Sequence, residues 1–356
     1  MRTVKVNTSK EYDVLIGSGL FEDAGTYIRQ TVDSEVAAIV TDDIVDALYA
    51  DRLERSLTEN GFKVVKFVFP NGEQSKNAAN YISILNFLAK SKLTRTDVVI
   101  ALGGGVVGDL AGFASATYLR GIPFIQIPTT LLAAVDSSVG GKAAIDLDDG
   151  KNLAGAFYQP KLVICDCETL FTLQPEVFRD GCAEVIKYGI IADNAFFIRL
   201  LDIPIEKQLE DVIVKCVEIK RDIVCSDEFD NGVRQLLNFG HTIGHSIEAS
   251  SNFTISHGSA IAIGMAIITR ASVKKEICGT ECLYYVLKIL EKNYLPIKTN
   301  FDCDTLYQNA LSDKKRRGDS INVVVPKSIG QCALHNIPTC ELAEFIKLGT
   351  ANGGLE

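Results

Sequence analysis

Residues 97–109 read DVVIALGGGVVGD, a run of apolar residues that passes directly into three glycines. The apolar run 98–102 predicts a buried strand, and the glycines predict a tight turn into a helix. Gly103, Gly105 and Gly108 fit the spacing G-x-G-x-x-G, which lets backbone N–H groups and a helix N-terminus approach a pyrophosphate. The same glycines also suit a purely steric strand-to-helix turn, so the spacing alone leaves both interpretations open.

Apolar patterns on both sides of this segment predict the rest of the first half. Alternating residues near positions 4–6 and 14–16 predict a hairpin, and residues 76–91 carry apolar positions at helical spacing. Buried strands are predicted at 36–41, 62–69, 98–102 and 124–128. Strands that alternate with helices predict a parallel sheet covered by helices.

The pattern changes after about residue 170, where long helical segments dominate and one clear strand remains at 321–325. A chain of 356 residues suits two domains. We therefore predict an α/β fold over 1–170, a Rossmann-like parallel-sheet domain. A mainly α-helical domain over 171–356 is predicted to follow it.

The composition excludes several classes of protein. A net charge of −9 argues against non-specific nucleic-acid binding, which requires a basic face. The sequence has no apolar run of about 18 residues and its start lacks the apolar core of a signal peptide, so we expect no membrane partner and a cytoplasmic protein. The ten cysteines form no C-x-x-C pair and are interpreted as reduced.

Two upstream segments favour a nucleotide site at the glycine turn. Pro128-Thr129-Thr130 stands about 20 residues after the turn, where an ordinary dinucleotide fold has the acid that binds ribose. Thr41-Asp42 ends an earlier strand instead, and Gly72-Glu73 with Lys76 follows the next strand. Ligands of open α/β sheets bind at such carboxyl ends of strands.

Three of the four histidines lie within seventeen residues, at His241, His245 and His257. A catalytic zinc commonly takes three protein ligands and leaves one position open. His241 and His245 share a helix face and could bind a metal with a nearby acid, but Thr242 replaces the glutamate of a His-Glu-x-x-His metalloprotease.

Spacing alone does not identify the acid of such a site. Glu184 is a plausible ligand, yet Glu184 and Lys187 share a helix face, and an exposed ion pair is the default interpretation of that spacing. His335, which lies far from the cluster, is interpreted as an ordinary core or surface histidine.

Basic and amide side chains in small-residue surroundings favour an anionic substrate. Lys142, Lys151 and Asn152 are predicted to lie in glycine-rich loops, where they could hold anionic oxygens. The helical half adds donors at Lys220, Arg234 and Asn238. Scattered surface lysines are the alternative for any one of these residues, but together they favour a small phosphorylated or carboxylated ligand.

Taken together, the segments resemble the 3-dehydroquinate synthase family of sugar phosphate cyclases. The matching blocks follow one another in family order. They are PNGEQSK (70–76), ALGGGVVGDLAGFASATYLRG (101–121), IPTTLLAAVDSSVGGKAAID (127–146), GKNLAGAFYQP (150–160), GCAEVIKYG (181–189), RQLLNFGHTIGHSIE (234–248), HGSAIAIGM (257–265) and SDKKRRG (312–318).

The resemblance implies a catalytic Zn²⁺, for which Co²⁺ can substitute, held by Glu184, His241 and His257. It implies that His245 does not bind the metal and instead either supports the metal ligands or faces the substrate. It implies NAD contacts at Asp42, Glu73, Lys76, Gly104, Gly105, Val106, Asp109, Thr129, Thr130, Lys142, Lys151, Thr172 and Leu173. It implies substrate contacts at Asp136, Lys142, Lys151, Asn152, Lys187, Lys220, Arg234, Asn238, His245 and one of the pair Lys314 and Lys315. Arg120 would reach the phosphate site of a neighbouring subunit, which implies a homodimer.

The implied reaction converts 3-deoxy-D-arabino-heptulosonate 7-phosphate to 3-dehydroquinate and phosphate. It proceeds through transient oxidation by NAD, β-elimination of phosphate, return of the hydride and aldol ring closure. The alternatives are another sugar phosphate cyclase, such as one acting on glucose 6-phosphate, a metal- and NAD-dependent polyol dehydrogenase, or a non-catalytic binding module.

Two positions depart from the family pattern. Ile44 stands where the family commonly has an asparagine that touches the adenosine side of NAD, so that contact is lost or replaced. Ser259 stands where the family usually has a glutamate after His-Gly, next to the expected ligand His257. The surroundings of that ligand are therefore expected to differ.

Overall fold

The computed structural model describes residues 1–311, 316–317 and 319–351. The strands of this part of the chain are β1 (Arg2–Asn7), β2 (Glu11–Gly17), β3 (Val36–Asp42), β4 (Lys63–Phe69), β5 (Val98–Gly103), β6 (Phe124–Pro128), β7 (Lys142–Leu147), β8 (Gly150–Phe157), β9 (Leu162–Asp166), β10 (Arg316–Arg317), β11 (Ser320–Ser328) and β12 (Gln331–Pro338).

The α-helices of the described residues are α1 (Ala24–Thr31), α2 (Asp43–Val45), α3 (Asp51–Glu59), α4 (Ala78–Lys90), α5 (Gly105–Thr117), α6 (Pro175–Ala192), α7 (Asn194–Asp202), α8 (Leu209–Ser226), α9 (His241–Ser250), α10 (His257–Lys274), α11 (Thr280–Lys292), α12 (Cys303–Leu311) and α13 (Thr339–Thr350). Short π-helical segments lie at Asp46–Ala50 and Ala133–Ser137, and 3₁₀ segments at Glu73–Ser75, Tyr118–Arg120, Cys167–Thr172, Ile205–Lys207 and Val233–Asn238. None of the described helices combines the length and apolar character needed to cross a bilayer.

Contacts within the chain divide it into two compact units. The first consists of Met1–Gln174 and Leu209–Phe229, and the second of Pro175–Gln208 and Asp230–Glu356. These units differ from the predicted division at residue 170, because α8 joins the first unit. There Lys220 of α8 donates to the carbonyl oxygen of Asp136 at 2.6 Å.

The first unit is built on a sheet with the strand order β1-β2-β9-β6-β5-β3-β4. β1 and β2 form the predicted antiparallel hairpin, and the remaining neighbours are parallel. Alternate residues of β5 enter two different cores, with Val98 and Ile100 on one face and Val99 on the other. Because both faces are covered, β5 is apolar throughout, as a buried parallel strand must be.

The second unit is mainly helical and carries a small antiparallel sheet in the order β10-β11-β12. The long helix α10 is buried along most of its length. With the parallel sheet of the first unit, this confirms the predicted fold class.

Two predictions about strands need correction. The late strand predicted at 321–325 is longer in the structure, where it is β11, and it pairs with β12. The sequence analysis missed β12 because polar and apolar residues alternate only weakly along that strand. Lys142, Lys151 and Asn152 were predicted in loops, but Lys142 begins β7 and the other two lie in β8, its antiparallel partner. Glycine-rich strands of a two-stranded hairpin bury little side chain, so they carry no clear periodic signal.

Candidate active site

The carboxyl ends of neighbouring parallel strands gather the residues expected to bind NAD in the first unit. Asp42 ends β3, Gly103 ends β5, and Thr129 and Thr130 follow the end of β6. Thr41 is paired with Leu102 and Gly103 with Pro128, so these ends lie along one edge of the sheet. The strand order reverses between β3 and β5, and a reversal of this kind leaves a crevice suited to a ligand.

The glycine turn lies at this edge and leads into a helix as predicted. Gly104 is the N-cap of α5, which begins at Gly105, followed by Val106. The backbone N–H of Thr129 donates to the carbonyl oxygen of Gly103 at 3.0 Å. A Cβ on Gly104 would lie 3.1 Å from the methyl carbon of Thr130, so the turn and the end of β6 are in close contact.

Charged residues around this turn are paired with one another. Lys76 Nζ lies 2.5 Å from Asp109 Oδ2, and Lys151 Nζ lies 3.3 Å from Glu73 Oε1. Burial lowers the pKa of Lys76, but the charges of Asp109, Glu73 and Asp146 and the hydrogen bond to Asp109 together outweigh burial, and the pKa is raised overall. Lys76 is therefore a permanent cation in a buried position.

Asp42 uses its carboxylate to cap a helix. Its Oδ1 accepts from the N–H groups of Ile44 at 3.1 Å and Val45 at 2.9 Å. The side chain of Ile44 remains 55% exposed. Ile44 thus presents an exposed apolar side chain beside Asp42, at the position where the resemblance leads us to expect an asparagine.

Thr172 and Leu173 lie at the end of the 3₁₀ segment that follows β9. Thr172 Oγ1 is 2.5 Å from the hydroxyl of Tyr49, which also donates to the carbonyl oxygen of Thr169 at 3.1 Å.

Several residues expected to bind substrate also lie in the first unit. Lys220 Nζ donates to both the carbonyl oxygen and the carboxylate of Asp136. The side chain of Lys142 is exposed, and Asn152 adopts a left-handed conformation with φ 54°. Arg120 is exposed and also left-handed, with φ 69°. A left-handed conformation costs a non-glycine residue about 1–2 kcal/mol, so the backbone at Arg120 is strained.

Glu184, His241 and His257 converge in the second unit, although they come from three helices, α6, α9 and α10. Their ligand atoms lie within 4.8 Å of one another. His241 Nε2 and His257 Nε2 are each 3.5 Å from Glu184 Oε1. Two imidazole nitrogens and one carboxylate oxygen are a donor set of catalytic zinc.

Both histidine rings are oriented by a partner at Nδ1. His241 Nδ1 lies 3.1 Å from the carbonyl oxygen of Phe239, and His257 Nδ1 lies 3.3 Å from Glu248 Oε2. Because Nδ1 donates to these oxygens, Nε2 is the nitrogen of each ring that faces Glu184. Histidines that bind metals are oriented in this way by an outer carboxylate or carbonyl.

The electrostatics of the cluster favour a cation. Burial lowers the pKa of His257, but the hydrogen bonds to Glu184 and Glu248 and the charges of these two carboxylates together outweigh burial and raise the pKa to about 10. The two carboxylates thus stabilise positive charge at this ring.

A glycine at the start of α9 explains how His241 reaches the cluster. Gly240 has φ 80°, a left-handed conformation that glycine adopts without strain. A Cβ there would lie 2.6 Å from Met265 Cγ and 2.8 Å from the carbonyl oxygen of Ile261, both in α10. Glycine therefore allows α9 to begin in contact with α10, which carries His257.

The expected exposed pair of Glu184 and Lys187 is instead fully buried. Their side chains are 0% and 1% exposed and form an ion pair. The interpretation as a surface pair was wrong because helix spacing shows which residues share a face but not whether that face is covered. A buried carboxylate requires a positive partner, which Lys187 supplies here.

The remaining predicted residues of the second unit are placed as follows. Arg234 is buried and Asn238 half-buried in the 3₁₀ segment that leads to α9. The ring of His245 lies 5.4 Å from that of His241 and 6.1 Å from that of His257, between centroids. Lys314 and Lys315 lie outside the described residues. His335 lies in β12 beside Phe345, with 6.1 Å between ring centroids, apart from the cluster.

Glu248 was missed by sequence reasoning. It lies three residues after His245 and seven after His241, positions that share one face of a helix. Helical spacing from the two histidines could have identified it.

Comparisons with known proteins identify the family of the chain. A family model described as 3-dehydroquinate synthase N-terminal matches residues 66–180, and one described as 3-dehydroquinate synthase C-terminal matches residues 181–316. A 3-dehydroquinate synthase of Streptococcus suis (strain 05ZYH33) is 44% identical over 344 residues, which cover 95% of this chain and 97% of that protein.

Two solved structures share the fold. A 2-deoxy-scyllo-inosose synthase complexed with carbaglucose-6-phosphate, NAD⁺ and Co²⁺ superposes with a TM-score of 0.87 at 25% identity, covering 97% of this chain and 99% of that one. A 2-epi-5-epi-valiolone synthase from Streptomyces hygroscopicus subsp. jinggangensis 5008, with NAD⁺ and Zn²⁺ bound, gives 0.87 at 23% identity, covering 98% and 99%. Since family models match both parts of the sequence and the identity to a curated relative extends over nearly all of it, the chain belongs to the 3-dehydroquinate synthase family.

Proposed function

We propose that this protein converts 3-deoxy-D-arabino-heptulosonate 7-phosphate to 3-dehydroquinate and phosphate, as a lyase of the shikimate pathway that leads to chorismate and the aromatic amino acids. The convergence of Glu184, His241 and His257 within 4.8 Å supports this proposal most directly. It occurs in a chain that is 44% identical to a 3-dehydroquinate synthase.

Glu184, His241 and His257 would hold a zinc ion. Their donor atoms suit that ion, and Co²⁺ would fit the same set. When bound, zinc lowers the pKa of a substrate hydroxyl and polarises the carbonyl formed from it. Glu248 and the carbonyl oxygen of Phe239 accept hydrogen bonds from Nδ1 of the two imidazoles, so Nε2 of each ring would bind the ion.

The sheet edge of the first unit would bind NAD, which accepts the hydride and later returns it. The N–H groups at the start of α5, at Gly105 and Val106, would face the pyrophosphate, while Asp42 would accept the ribose hydroxyls. Burial raises the pKa of Asp109 beside the glycine turn, and the ammonium group of Lys76 acts in the opposite direction. Thr129 and Thr130 would complete the cofactor contacts from the end of β6.

Charged and amide side chains would bind the substrate at its two anionic ends. In the first unit, Lys142 and Asn152 would bind the phosphate group and Lys220 the carboxylate. In the second unit, Asn238 and His245 would bind the phosphate group and Arg234 the carboxylate, through its planar fork. The phosphate oxygens could themselves take the proton during elimination. Because Lys220 is paired with Asp136, the substrate carboxylate would have to share or replace that partner. Asp136 and Lys187 would orient the substrate or relay protons, and Lys151 would contact the substrate and the cofactor.

We further propose that the protein works in the cytoplasm as a homodimer. An exposed Arg120 in a left-handed conformation supports this proposal, since the resemblance directs that side chain to the phosphate site of a neighbouring subunit.

The proposal is tested by incubating the protein with the heptulosonate phosphate, catalytic NAD and Zn²⁺, while phosphate, dehydroquinate and NADH are followed together. Equal amounts of phosphate and dehydroquinate, without net NADH, are expected. Accumulation of NADH would indicate a polyol dehydrogenase, and turnover of glucose 6-phosphate a different cyclase. A chelator should abolish turnover and Zn²⁺ or Co²⁺ should restore it. Full activity of a verified metal-free sample would exclude the metal role.

A further inference from the structure

The first turn of α10 carries His257 but has no acid of its own. Ser256 is its N-cap, yet the Ser256 side chain does not accept from the backbone of that turn. The first N–H groups of a helix have no partner within the helix and carry partial positive charge. The turn that presents His257 therefore depends on acceptors from elsewhere.

Asp180 of α6 supplies that acceptor. Ser256 Oγ donates to Asp180 Oδ1 at 2.5 Å and lies 2.9 Å from Ser259 Oγ. Burial raises the pKa of Asp180, while hydrogen bonds from Ser256 and from the N–H groups of Gly258 and Ser259 act in the opposite direction. One carboxylate on α6 thus caps the N-terminus of a different helix.

The two helices touch at the same point. A Cβ on Gly258 would lie 2.3 Å from the carbonyl oxygen of Asp180 and 2.4 Å from its Cα, so only glycine allows this approach. Asp180 and Glu184 are four residues apart on α6 and share one face. The contact that caps α10 therefore also sets Glu184 opposite His257, at 3.5 Å.

We infer that Asp180 is a positioning residue for the metal site: by capping α10 from α6, it fixes the backbone of His257 against Glu184 and so increases metal affinity. This inference rests on the proposed metal-binding role of the cluster. It also gives a role to Ser259. A glutamate at 259, three residues after the N-cap serine, would form a capping box within α10, and here the carboxylate comes from Asp180 instead.

The inference is tested on the full chain by measuring the Zn²⁺ dissociation constant in competition with a chromophoric chelator. Visible spectra of the Co²⁺-loaded forms and thermal unfolding of the metal-free forms are recorded in parallel. D180A should weaken Zn²⁺ binding by about tenfold or more and alter the Co²⁺ bands. D180N, which keeps an acceptor oxygen without the charge, should give a smaller loss.

A matched control and a rescue separate positioning from general stability. E176A removes an exposed carboxylate of α6 that pairs with Arg179, and it should change affinity by less than about twofold. In D180A/S259E the carboxylate returns as a capping box with Ser256, and affinity should recover to within about threefold of the parent. The Co²⁺ bands should recover as well.

The outcomes distinguish this inference from the proposed function. Unchanged Zn²⁺ affinity and Co²⁺ spectra in D180A and D180N would overturn it, as would a loss that S259E leaves uncorrected. If D180A does not fold, the Zn²⁺ affinities and Co²⁺ spectra of D180N and of D180A/S259E are compared with those of the parent instead. H257A should lose binding far more than D180A. A parent protein that binds no Zn²⁺, and so cannot be distinguished from H257A, would instead overturn the metal site itself.

Discussion

Side chains in the candidate metal cluster have two roles: some would bind the ion, and others orient the residues that bind it. Glu184, His241 and His257 present donor atoms to one point, while Glu248 and the Phe239 carbonyl hold the imidazoles from behind. An imidazole can bind an ion through either nitrogen, and the partner at Nδ1 decides which one is used. Metal affinity should therefore depend on residues that never touch the ion.

Replacing Glu248 with glutamine tests this dependence. The amide can still accept from His257 Nδ1 but lacks the charge that makes the imidazole a stronger donor, so Zn²⁺ affinity should fall by about ten- to a hundredfold. Chelator competition measures the change. Glu281→Gln, at an exposed site in α11, serves as the control and should behave like the parent. Equal affinities for all three proteins would show that Glu248 does not orient His257.

The positions at which helices and strands begin determine where functional side chains lie. α9 starts at His241 because Gly240 turns the chain in a conformation that other residues adopt only with strain. β5 starts after Asp97, whose carboxylate accepts from the N–H groups of Val36 at 2.8 Å and Thr94 at 2.6 Å. The start of α9 therefore depends on one glycine and the start of β5 on one carboxylate, and a single substitution can remove either.

Gly240→Ala should destabilise the second unit and weaken metal binding. The new methyl group would meet α10 and the backbone would be strained at φ 80°, which together should cost more than about 1 kcal/mol. Thermal unfolding with and without Zn²⁺ measures both effects. Gly279→Ala is the control, because φ is −78° and a Cβ there meets nothing within 4 Å. A stable Gly240→Ala protein with parental metal affinity would contradict this account.

Asp97→Asn should destabilise the first unit in a pH-dependent manner. Burial raises the pKa of Asp97, but hydrogen bonds from Thr94 and Val36 outweigh it and the pKa is lowered. A lowered pKa in the folded state stabilises the fold above the unfolded-state value of about 4, and this contribution disappears as the pH falls through the folded-state pKa.

The parent and the Asp97→Asn variant should thus differ by about 1–3 kcal/mol at neutral pH and converge in acid. Urea unfolding at several pH values measures the difference, with exposed Asp33→Asn as the control. A difference that stays constant from pH 7 to pH 2 would show that the charge of Asp97 is not involved.

Beyond the single chain, the proposed homodimer makes each active site depend on two copies. If Arg120 acts in the neighbouring subunit, R120A and H257A damage complementary sites. A heterodimer of the two variants, isolated with two affinity tags, should contain one intact site and regain about half of the parental activity. The heterodimer of H257A and E184A has no intact site and should stay inactive. The inference that Arg120 crosses the interface fails if both heterodimers are equally inactive.

The sequence was sufficient for features that arise from neighbouring residues. The strand, glycine turn and helix at 97–109 follow from an apolar run and from the space that glycine leaves, and both act within a few residues. The grouping of His241, His245 and His257 was likewise visible as an unusual clustering along the chain. The carboxyl-end positions of Asp42 and Thr129 followed once the strands were assigned, because parallel strands end at one edge.

Packing between distant segments determined the rest. The full burial of Glu184 with Lys187, the contact of Glu248 with His257, and the capping of α10 by Asp180 all join residues on different helices or hidden faces. Helical periodicity fixes which residues share a face, but it carries no information about which other helix that face meets. The donor atoms of the metal site can therefore be proposed from the sequence, whereas the carboxylates that orient and cap them emerge only when the helices are packed together.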